Sequence, residues 1–173
     1  MAGQLNNAAQ VQIVPGHTMA EKCWPLAEAH VAEWGHLYPG WTVEDAYNDL
    51  LAESSTNPSS LEELLTSWIA VVEGDVVGTI CLRGTGELEP DDAKQLTGPW
   101  LAALHVVPNL RRSGLATVLI DHVRTHASKL GFRRLRLVTE HEVSFYTRRG
   151  WTTETTVQLA SNTNTVMVTS LLA

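Results

Sequence analysis

The sequence lacks the long apolar segments of membrane proteins and the leader of secreted ones. No apolar run approaches the ~20 residues that a membrane-spanning helix requires. Met1–Gln10 contains no Lys, no Arg and no apolar block, so we expect no signal peptide there. The two cysteines, Cys23 and Cys81, lie far apart, which is typical of free thiols in a reducing compartment. We therefore expect a cytoplasmic protein without a membrane partner.

Basic residues are also scarce: 12 Lys and Arg stand against 19 Asp and Glu, a formal net charge of -7. This balance argues against a nucleic-acid partner, which would need a basic face. It suits a cationic partner such as an amine, although many cytosolic proteins are equally acidic. Phenylalanine is rare, with two residues against six tryptophans. Tryptophan serves both as core filler and as a platform at binding sites.

The length of 173 residues and the hydrophobic fraction of 44% predict one domain with a substantial core. We assign residues 1–10 to a flexible tail and residues 11–173 to a single domain. Apolar alternation and turn residues predict strands at 11–14, 67–72, 76–83, 100–107, 134–138, 151–159 and 165–171, the last two joined by a turn at 161–164. Helical spacing and capping residues predict helices at 18–34, 42–53, 61–65, 115–130 and 139–148.

This order of elements indicates a mixed α+β chain in which about four helices flank one sheet. The strand–helix–strand unit from Trp100 to Val138 requires a parallel crossover. A long loop at 84–98 carries the acidic residues Glu87, Glu89, Asp91 and Asp92. That loop either steers a cation or is an ordinary solvated acidic loop.

The most informative segment joins a predicted strand to a predicted helix, and it reads Leu104-His105-Val106-Val107-Pro108-Asn109-Leu110-Arg111-Arg112-Ser113-Gly114-Leu115-Ala116. Helix N-termini leave backbone N–H groups unpaired, and Gly114 and Ala116 let an anion approach them closely. Arg111 and Arg112 add positive charge. The segment predicts a phosphate cradle, the alternative being a solvated basic turn. Neither the phosphate-loop pattern nor the dinucleotide-binding glycine pattern is present.

Two motifs follow each other along the chain. The first is Arg111-x-x-Gly114-x-Ala116, and the second is Phe145-Tyr146-x-x-x-Gly150-Trp151, which places Tyr146 32 residues after Gly114. Together, in this order and at this spacing, they resemble the motifs of the GCN5-related N-acetyltransferase (GNAT) family. The resemblance extends over about residues 67–172. It implies a central, mostly antiparallel sheet in which two parallel strands, here those ending at Val107 and Val138, splay apart to hold coenzyme A.

The resemblance also implies acetyl-CoA as co-substrate, with no metal. Backbone amides around Val106 then hold the acetyl carbonyl and the pantetheine, and amides from Arg111 to Thr117 hold the pyrophosphate. The residues that it assigns to acetyl-CoA are Leu104, Val106, Val107, Arg111, Arg112, Ser113, Gly114, Leu115, Ala116, Thr117 and Tyr146.

Catalysis in this family requires a proton donor for the departing thiolate and an acceptor for the proton of the amine. By position Tyr146 is the donor, its alternative role being that of a packed tyrosine. The base is left open between His105, Glu140 and His141. His105 titrates in the useful range but also suits a hydrogen-bonded histidine on the sheet. Glu140 also suits a carboxylate at a helix start.

An aromatic turn at 34–41 is expected to wall the acceptor cleft. Trp34, Tyr38 and Trp41 can hold an amine by stacking or cation–π contacts, the alternative being a packed corner. The acceptor is a small amine, an aminoglycoside-like compound or a peptide amine, and a homodimer stays open. His122 and His126 are four residues apart but lack the glutamate of zinc proteases, so we expect a helix face and no metal there. The competing function is a non-catalytic acyl-CoA sensor.

Overall fold

The computed structural model describes residues 10–54, 58–85, 87–88 and 95–171. The predicted tail lies outside these residues except for Gln10, and so do Glu89, Asp91 and Asp92 of the acidic loop. The strands are β1 (Gln12–Pro15), β2 (Leu65–Val72), β3 (Asp75–Arg83), β4 (Trp100–Val106), β5 (Arg134–Thr139), β6 (Thr152–Leu159) and β7 (Asn162–Ser170). The helices are α1 (Trp24–Trp34), α2 (Val43–Leu51), α3 (Leu115–Lys129) and α4 (Val143–Thr147), with 3₁₀ turns at Gly16–Lys22 and Pro108–Leu110.

The seven strands form one sheet in the order β1-β2-β3-β4-β5-β7-β6. Strands β4 and β5 run parallel, joined across the α3 crossover, and every other neighbouring pair is antiparallel. This confirms the predicted fold class, a mostly antiparallel sheet flanked by helices. The two parallel strands are tied at one end by a single residue pair, Trp100 and Arg136. Beyond that pair they separate, which opens a gap in the middle of the sheet.

The two faces of the sheet bury different helices because side chains alternate along each strand. Trp68 and Ala70 of β2 belong to the apolar cluster that buries α3, whereas Ile69 and Val71 belong to the cluster that buries α1 and α2. The face of α3 toward the sheet carries Leu115, Leu119, Ile120, Val123 and Ala127, all buried. Both helical layers therefore fix the position of the central gap.

Three predicted elements differ from the structure. The helix predicted at 18–34 is divided into a 3₁₀ turn and α1, because Pro25 has no N–H and fits the first turn of a helix. The helix predicted at 61–65 is wrong, since Leu65 already pairs with Arg83 as the start of β2. The final turn is Ala160–Ser161, not 161–164, so that the residues from Asn162 onward belong to β7.

Candidate active site

A cleft of about 940 Å³ lies where β4 and β5 separate. Leu104 of β4, Val138 and Thr139 of β5, and Tyr146 of α4 line it, and the turn between α1 and α2 closes the opposite wall. This volume is within the usual range for small-molecule sites. The gap in the sheet is therefore large enough to hold two reactants side by side.

The three aromatic residues predicted to contact an acceptor lie together on this wall. Trp34, Tyr38 and Trp41 all line the cleft, and the Tyr38 and Trp41 rings meet edge to face at 6.2 Å. Trp34 and Tyr38 also pack against the buried Leu37 cluster. The turn is thus a packed corner that also forms a wall of the cleft, and contact of its rings with an acceptor stays a prediction.

A buried ionic cluster forms another part of the lining. Arg83 lies 3.4 Å from a carboxylate oxygen of Glu87 and 3.7 Å from one of Asp49. Burial raises the pKa of both carboxyl groups, and Arg83 opposes this rise. Glu87 is only 8% exposed. The interpretation of 84–98 as a solvated acidic loop is therefore wrong for Glu87, which turns inward because Arg83 neutralises it.

Glu140 lies directly after β5 and holds three polar contacts. One oxygen accepts a hydrogen bond from Asn162 Nδ2 at 2.7 Å, and the other lies 3.0 Å from His36 Nε2 and 3.5 Å from His141 Nε2. The hydrogen bond with His36 lowers the pKa of Glu140. A carboxylate whose pKa is lowered is a weak base, so this geometry suits binding of positive charge better than removal of a proton.

The other predicted base, His105, lies on β4 and is 8% exposed. Its ring packs against His30 at 5.8 Å and Trp34 at 6.4 Å. Burial lowers its pKa, with a further contribution from Arg111, so the imidazole is neutral at pH 7 and able to accept a proton. It does not belong to the residues that line the cleft.

His30 joins α1 to an irregular point in β4. Its Nε2 lies 2.8 Å from Thr79 Oγ1, and that hydroxyl donates to the carbonyl of Ala103 at 2.8 Å. Because the Thr79 proton is used on Ala103, His30 must be the donor to Thr79. Ala103 has a φ of 50° and lies where the register of β3 and β4 shifts. The relay therefore holds a β-bulge beside the cleft.

The stability of the fold should depend on the protonation of His30. Burial, and secondarily His105, lower its pKa from 6.5 to about 3. The unfolded chain binds this proton more tightly than the folded chain. The contribution of His30 to the free energy of unfolding is therefore fully present above about pH 6.5. Below that pH the free energy of unfolding decreases by up to ~1.4 kcal/mol per pH unit. Chemical denaturation between pH 7 and pH 4 measures this slope.

His30→Gln keeps a donor for Thr79 but does not titrate, so its unfolding free energy should fall less steeply between pH 6 and pH 4. His141→Gln, at a side chain that is 79% exposed, is the matched control and should retain the wild-type slope. Equal slopes for wild type and His30→Gln would show that His30 does not control the acid sensitivity.

Tyr146 lies on α4 with its ring between those of Phe145 at 5.0 Å and Trp151 at 5.9 Å. The residue is 8% exposed and lines the cleft. None of the residues that the structure describes forms a hydrogen bond with its hydroxyl group. Burial raises the pKa of the phenol, with Glu142 adding to the rise, so the hydroxyl stays protonated at neutral pH. It is available as a proton or hydrogen-bond donor.

The predicted cradle lies at the N-terminus of α3, outside the lining of the cleft. Gly114 has a φ of 93°, and a Cβ built on it would meet no atom within 4 Å, so the space above it is open. Within the described residues, the N–H groups of Arg112, Ser113 and Gly114 donate to no carbonyl. Leu115 and Ala116 lie in the first turn of α3, where N–H groups have no partner within the helix. Unpaired donors around an open glycine fit a pyrophosphate.

The remaining residues of the predicted cofactor set either face the gap or hold this turn in place. The N–H of Val107 donates to Val77 of β3 at 3.0 Å, so the N–H of Val106 points the other way, toward the gap. Arg111 Nε donates to the carbonyl of Val106 at 3.1 Å, and Ser113 Oγ donates to that of Leu110 at 2.7 Å. The Arg111 side chain thus fixes the turn.

Arg149 is a cation beside the cradle that the sequence interpretation missed. Its guanidinium contacts Thr117 Oγ1 at 3.2 Å, donates to the Phe145 carbonyl at 2.9 Å and lies 3.7 Å above the Phe145 ring. These contacts join α4 to the first turn of α3. The signal in the sequence was weak because basic residues before a glycine are typical of an ordinary helix end.

No group of three potential metal ligands occurs among the described residues. His122 and His126 pack on the Trp68 indole at 5.1 and 4.8 Å. In the described part of the chain, no helix has the length and apolar character needed to cross a membrane.

The arrangement agrees with a comparison at the level of sequence families. The sequence model of the acetyltransferase (GNAT) family matches residues 24–151. The chain belongs to this family. GNAT acetyltransferases are enzymes, and acetyl-CoA as co-substrate fits both the family and the cradle described above. A search of curated protein sequences found no match.

Solved structures share the GNAT fold. An aminoglycoside 6'-N-acetyltransferase complexed with coenzyme A is 15% identical, with a TM-score of 0.67, and the match covers 95% of this chain and 98% of that chain. An aminoglycoside 6'-acetyltransferase type Ii is 17% identical, with a TM-score of 0.66 and coverage of 94% and 98%. The N-acetylglutamate synthase from Neisseria gonorrhoeae, complexed with coenzyme A and N-acetyl-glutamate, is 18% identical, with a TM-score of 0.64 and coverage of 96% and 36%. At these identities the likeness establishes the fold.

Proposed function

We propose that residues 11–173 form an N-acetyltransferase that moves an acetyl group from acetyl-CoA to a primary amine by direct attack in a ternary complex. The observation that carries this proposal is the cleft at the separated strands. The protonated hydroxyl group of Tyr146 and several acidic side chains line this one cavity. Acetyl-CoA, when bound, supplies the activated acyl group. The chain supplies orientation, charge stabilisation and proton transfer.

The acyl donor is held by three parts of the chain in this proposal. The open N-terminus of α3, from Arg112 to Thr117, binds the pyrophosphate, and Arg149 beside Thr117 adds positive charge. The edge of β4 at Leu104 and Val106 binds the pantetheine arm. The Val106 N–H faces the gap, where it stabilises the negative charge that develops on the carbonyl oxygen.

Proton transfer requires a donor on the sulfur side and an acceptor on the amine side. Tyr146 donates to the departing thiolate, since no described group competes for its hydroxyl. His105 is the better candidate for the base, acting through a water molecule because it does not line the cleft, since its imidazole is neutral at pH 7. Glu140, whose pKa is lowered by His36, serves as a fixed negative charge.

The acceptor is a cationic amine, because the cleft is strongly acidic. Six carboxylates line it, from Glu33, Asp45, Asp49, Glu87, Glu140 and Glu142, against the single arginine Arg83 among the described lining residues. An excess of one charge in a concave site concentrates ligands of the opposite charge. Protonated amines with further positive groups fit this field better than neutral or acidic amines.

Release of free thiol from acetyl-CoA, measured with a panel of amines, tests the proposed activity. The panel contains a linear diamine, an aminoglycoside, a peptide with a free N-terminus and an acidic amino acid. We expect turnover with at least one cationic member and none with the acidic one. Calorimetric binding of acetyl-CoA without turnover on any amine would favour the sensor function instead.

Trp41 should matter for the acceptor and not for acetyl-CoA. Its indole lines the cleft and meets the Tyr38 ring edge to face. Trp41→Ala removes this face, so the acceptor KM should rise by about 10-fold or more, in line with the loss of a desolvated cation–π contact. The KM for acetyl-CoA should stay within about 2-fold, since the cradle lies elsewhere.

Trp24→Ala is the matched control for this change. Trp24 is 45% exposed, stacks on Tyr47 at 5.3 Å and does not line the cleft. Its removal should leave both KM values unchanged. If Trp41→Ala and Trp24→Ala had the same acceptor KM, Trp41 would be a packing residue only.

A further inference from the structure

Asn164 carries an unpaired polar atom in the wall of the cleft. It lies on β7 and is 1% exposed. Its Nδ2 donates to the carbonyl of Asn162 at 3.0 Å, which fixes the orientation of the amide. Its Oδ1 is buried and accepts no hydrogen bond from any described residue, although Asn164 lines the cleft. A buried acceptor without a donor costs folding free energy, so its retention requires a reason.

The register of the sheet places this oxygen beside a carboxylate. Thr139 of β5 pairs with Thr165 of β7 in an antiparallel ladder, so the next position sets Glu140 opposite Asn164. Asn162, which accepts the bond from Asn164, also donates to Glu140 at 2.7 Å. Asn162 therefore links the two residues, through its backbone carbonyl to Asn164 and through its side-chain amide to Glu140.

The chemistry of this unit selects a donor of hydrogen bonds. The Asn164 oxygen can only accept, and an ionised Glu140 can only accept. His36 holds the pKa of Glu140 low, so its carboxylate remains charged. An N–H group with a positive charge is the partner that satisfies both the unpaired oxygen and the carboxylate.

We propose that Asn164 Oδ1 and Glu140 form a subsite that binds an alkylammonium group of the acceptor. This proposal rests on the proposed function, because it assigns the cleft to an amine. Glu140 follows β5, one of the two separated strands, and Tyr146 lines the same cleft. The subsite therefore lies at the end of the cleft where the two strands part, and it orients the amine toward the gap.

The proposal is tested by direct binding, without catalysis. The full chain, saturated with free CoA, which carries no acetyl group, is titrated with n-butylamine at neutral pH, and n-butanol serves as the uncharged comparison. We expect n-butylammonium to shift the NMR signal of the Asn164 side-chain amide and n-butanol to leave it in place. Asn164→Leu, of similar shape, should raise the Kd for n-butylammonium by about 10-fold or more.

Two further variants make the test specific. Asn164→Asp keeps an acceptor oxygen but loses the Nδ2 donor to Asn162, so it should bind n-butylammonium more tightly than Asn164→Leu. Thr163→Val changes an exposed neighbour on the same strand, bonded to Gln158, and should have the wild-type Kd. The Tm of Asn164→Leu should change little, because the unpaired oxygen is removed together with the hydrogen bond that Nδ2 donates to Asn162.

An unchanged Kd in Asn164→Leu, a Kd for a folded Asn164→Asp as high as that for Asn164→Leu, or equal responses to n-butylamine and n-butanol would each overturn the subsite. If Asn164→Leu does not fold, the comparison of n-butylamine with n-butanol on the wild-type chain decides. Thiol release with the amine panel is measured separately. If amines are turned over but n-butylammonium neither shifts the Asn164 amide signal nor binds more weakly to Asn164→Leu, the subsite is rejected and the enzymatic function is retained. If no amine is turned over, the enzymatic function is rejected.

Discussion

Gly114→Asp should abolish binding of acetyl-CoA. Gly114 has a φ of 93°, which a side chain rarely adopts, and the space above it is open. In our proposal the pyrophosphate occupies that space, so a carboxylate there brings both bulk and negative charge against it. Calorimetry should show at least about a 100-fold loss of affinity. The rise in Tm that acetyl-CoA gives to the wild-type chain should disappear with it.

Gly131→Asp is the matched control, at the other end of the same helix. Gly131 has a φ of 87°, and a Cβ built on it would also meet no atom within 4 Å. The two variants share the backbone strain, and the helix dipole disfavours a carboxylate only at Gly131, so Gly131→Asp should lose at least as much stability as Gly114→Asp. Gly131→Asp should still bind acetyl-CoA. Equal affinity for CoA in wild type and Gly114→Asp would place the cradle elsewhere in the chain.

The sequence was sufficient to predict the fold class, the start of a helix at Gly114 and the helical position of Tyr146, because these depend on local patterns. A glycine that opens a helix and a tyrosine one turn before a glycine are visible within a few residues of chain. The parallel crossover followed from the length of the segment between two apolar strands. Apart from the helix predicted at 61–65, the structure has the predicted elements in that order, with β4 and β5 separated as the resemblance implied.

The residues that the sequence did not reveal depend on long-range contacts. The sequence pattern assigned Asn164 to the turn at 161–164, whereas the turn lies at 160–161 and Asn164 belongs to β7. Its position opposite Glu140 follows from the pairing of β5 with β7. Glu87 is buried because Arg83 on β3 reaches it at 3.4 Å. Arg149 reaches Thr117 because α4 docks on α3. None of these distances is encoded in residue spacing alone.

The polar groups around the gap between β4 and β5 fall on two chemically distinct sides. The unpaired N–H groups lie toward α3 and β4, where an anion is favoured, and the carboxylates lie toward α2, β3 and the end of β5, where a cation is favoured. The gap between β4 and β5 is the point at which both sides meet. A phosphate-bearing acyl donor and a protonated amine can therefore enter from opposite sides.

Tyr146→Phe should lower the turnover number by about 100-fold or more, within the usual range for a positioned general acid. The change keeps the ring, its packing against Phe145 and Trp151, and removes a hydroxyl group that no described residue bonds. The Tm and the Kd for acetyl-CoA should therefore change little. Because the proton is needed only in the transition state, kcat and kcat/KM should fall by the same factor.

Tyr47→Phe is the matched control, since the Tyr47 hydroxyl donates to the Ala20 carbonyl at 3.3 Å and lies outside the cleft. It should leave kcat unchanged. Slow product release would hide part of the loss in Tyr146→Phe, so single-turnover rates are the decisive measurement. A single-turnover rate equal to that of wild type, with the fold intact, would remove Tyr146 from the mechanism. Acetyl transfer would then proceed without this donor, so another group or a water molecule would have to protonate the thiolate.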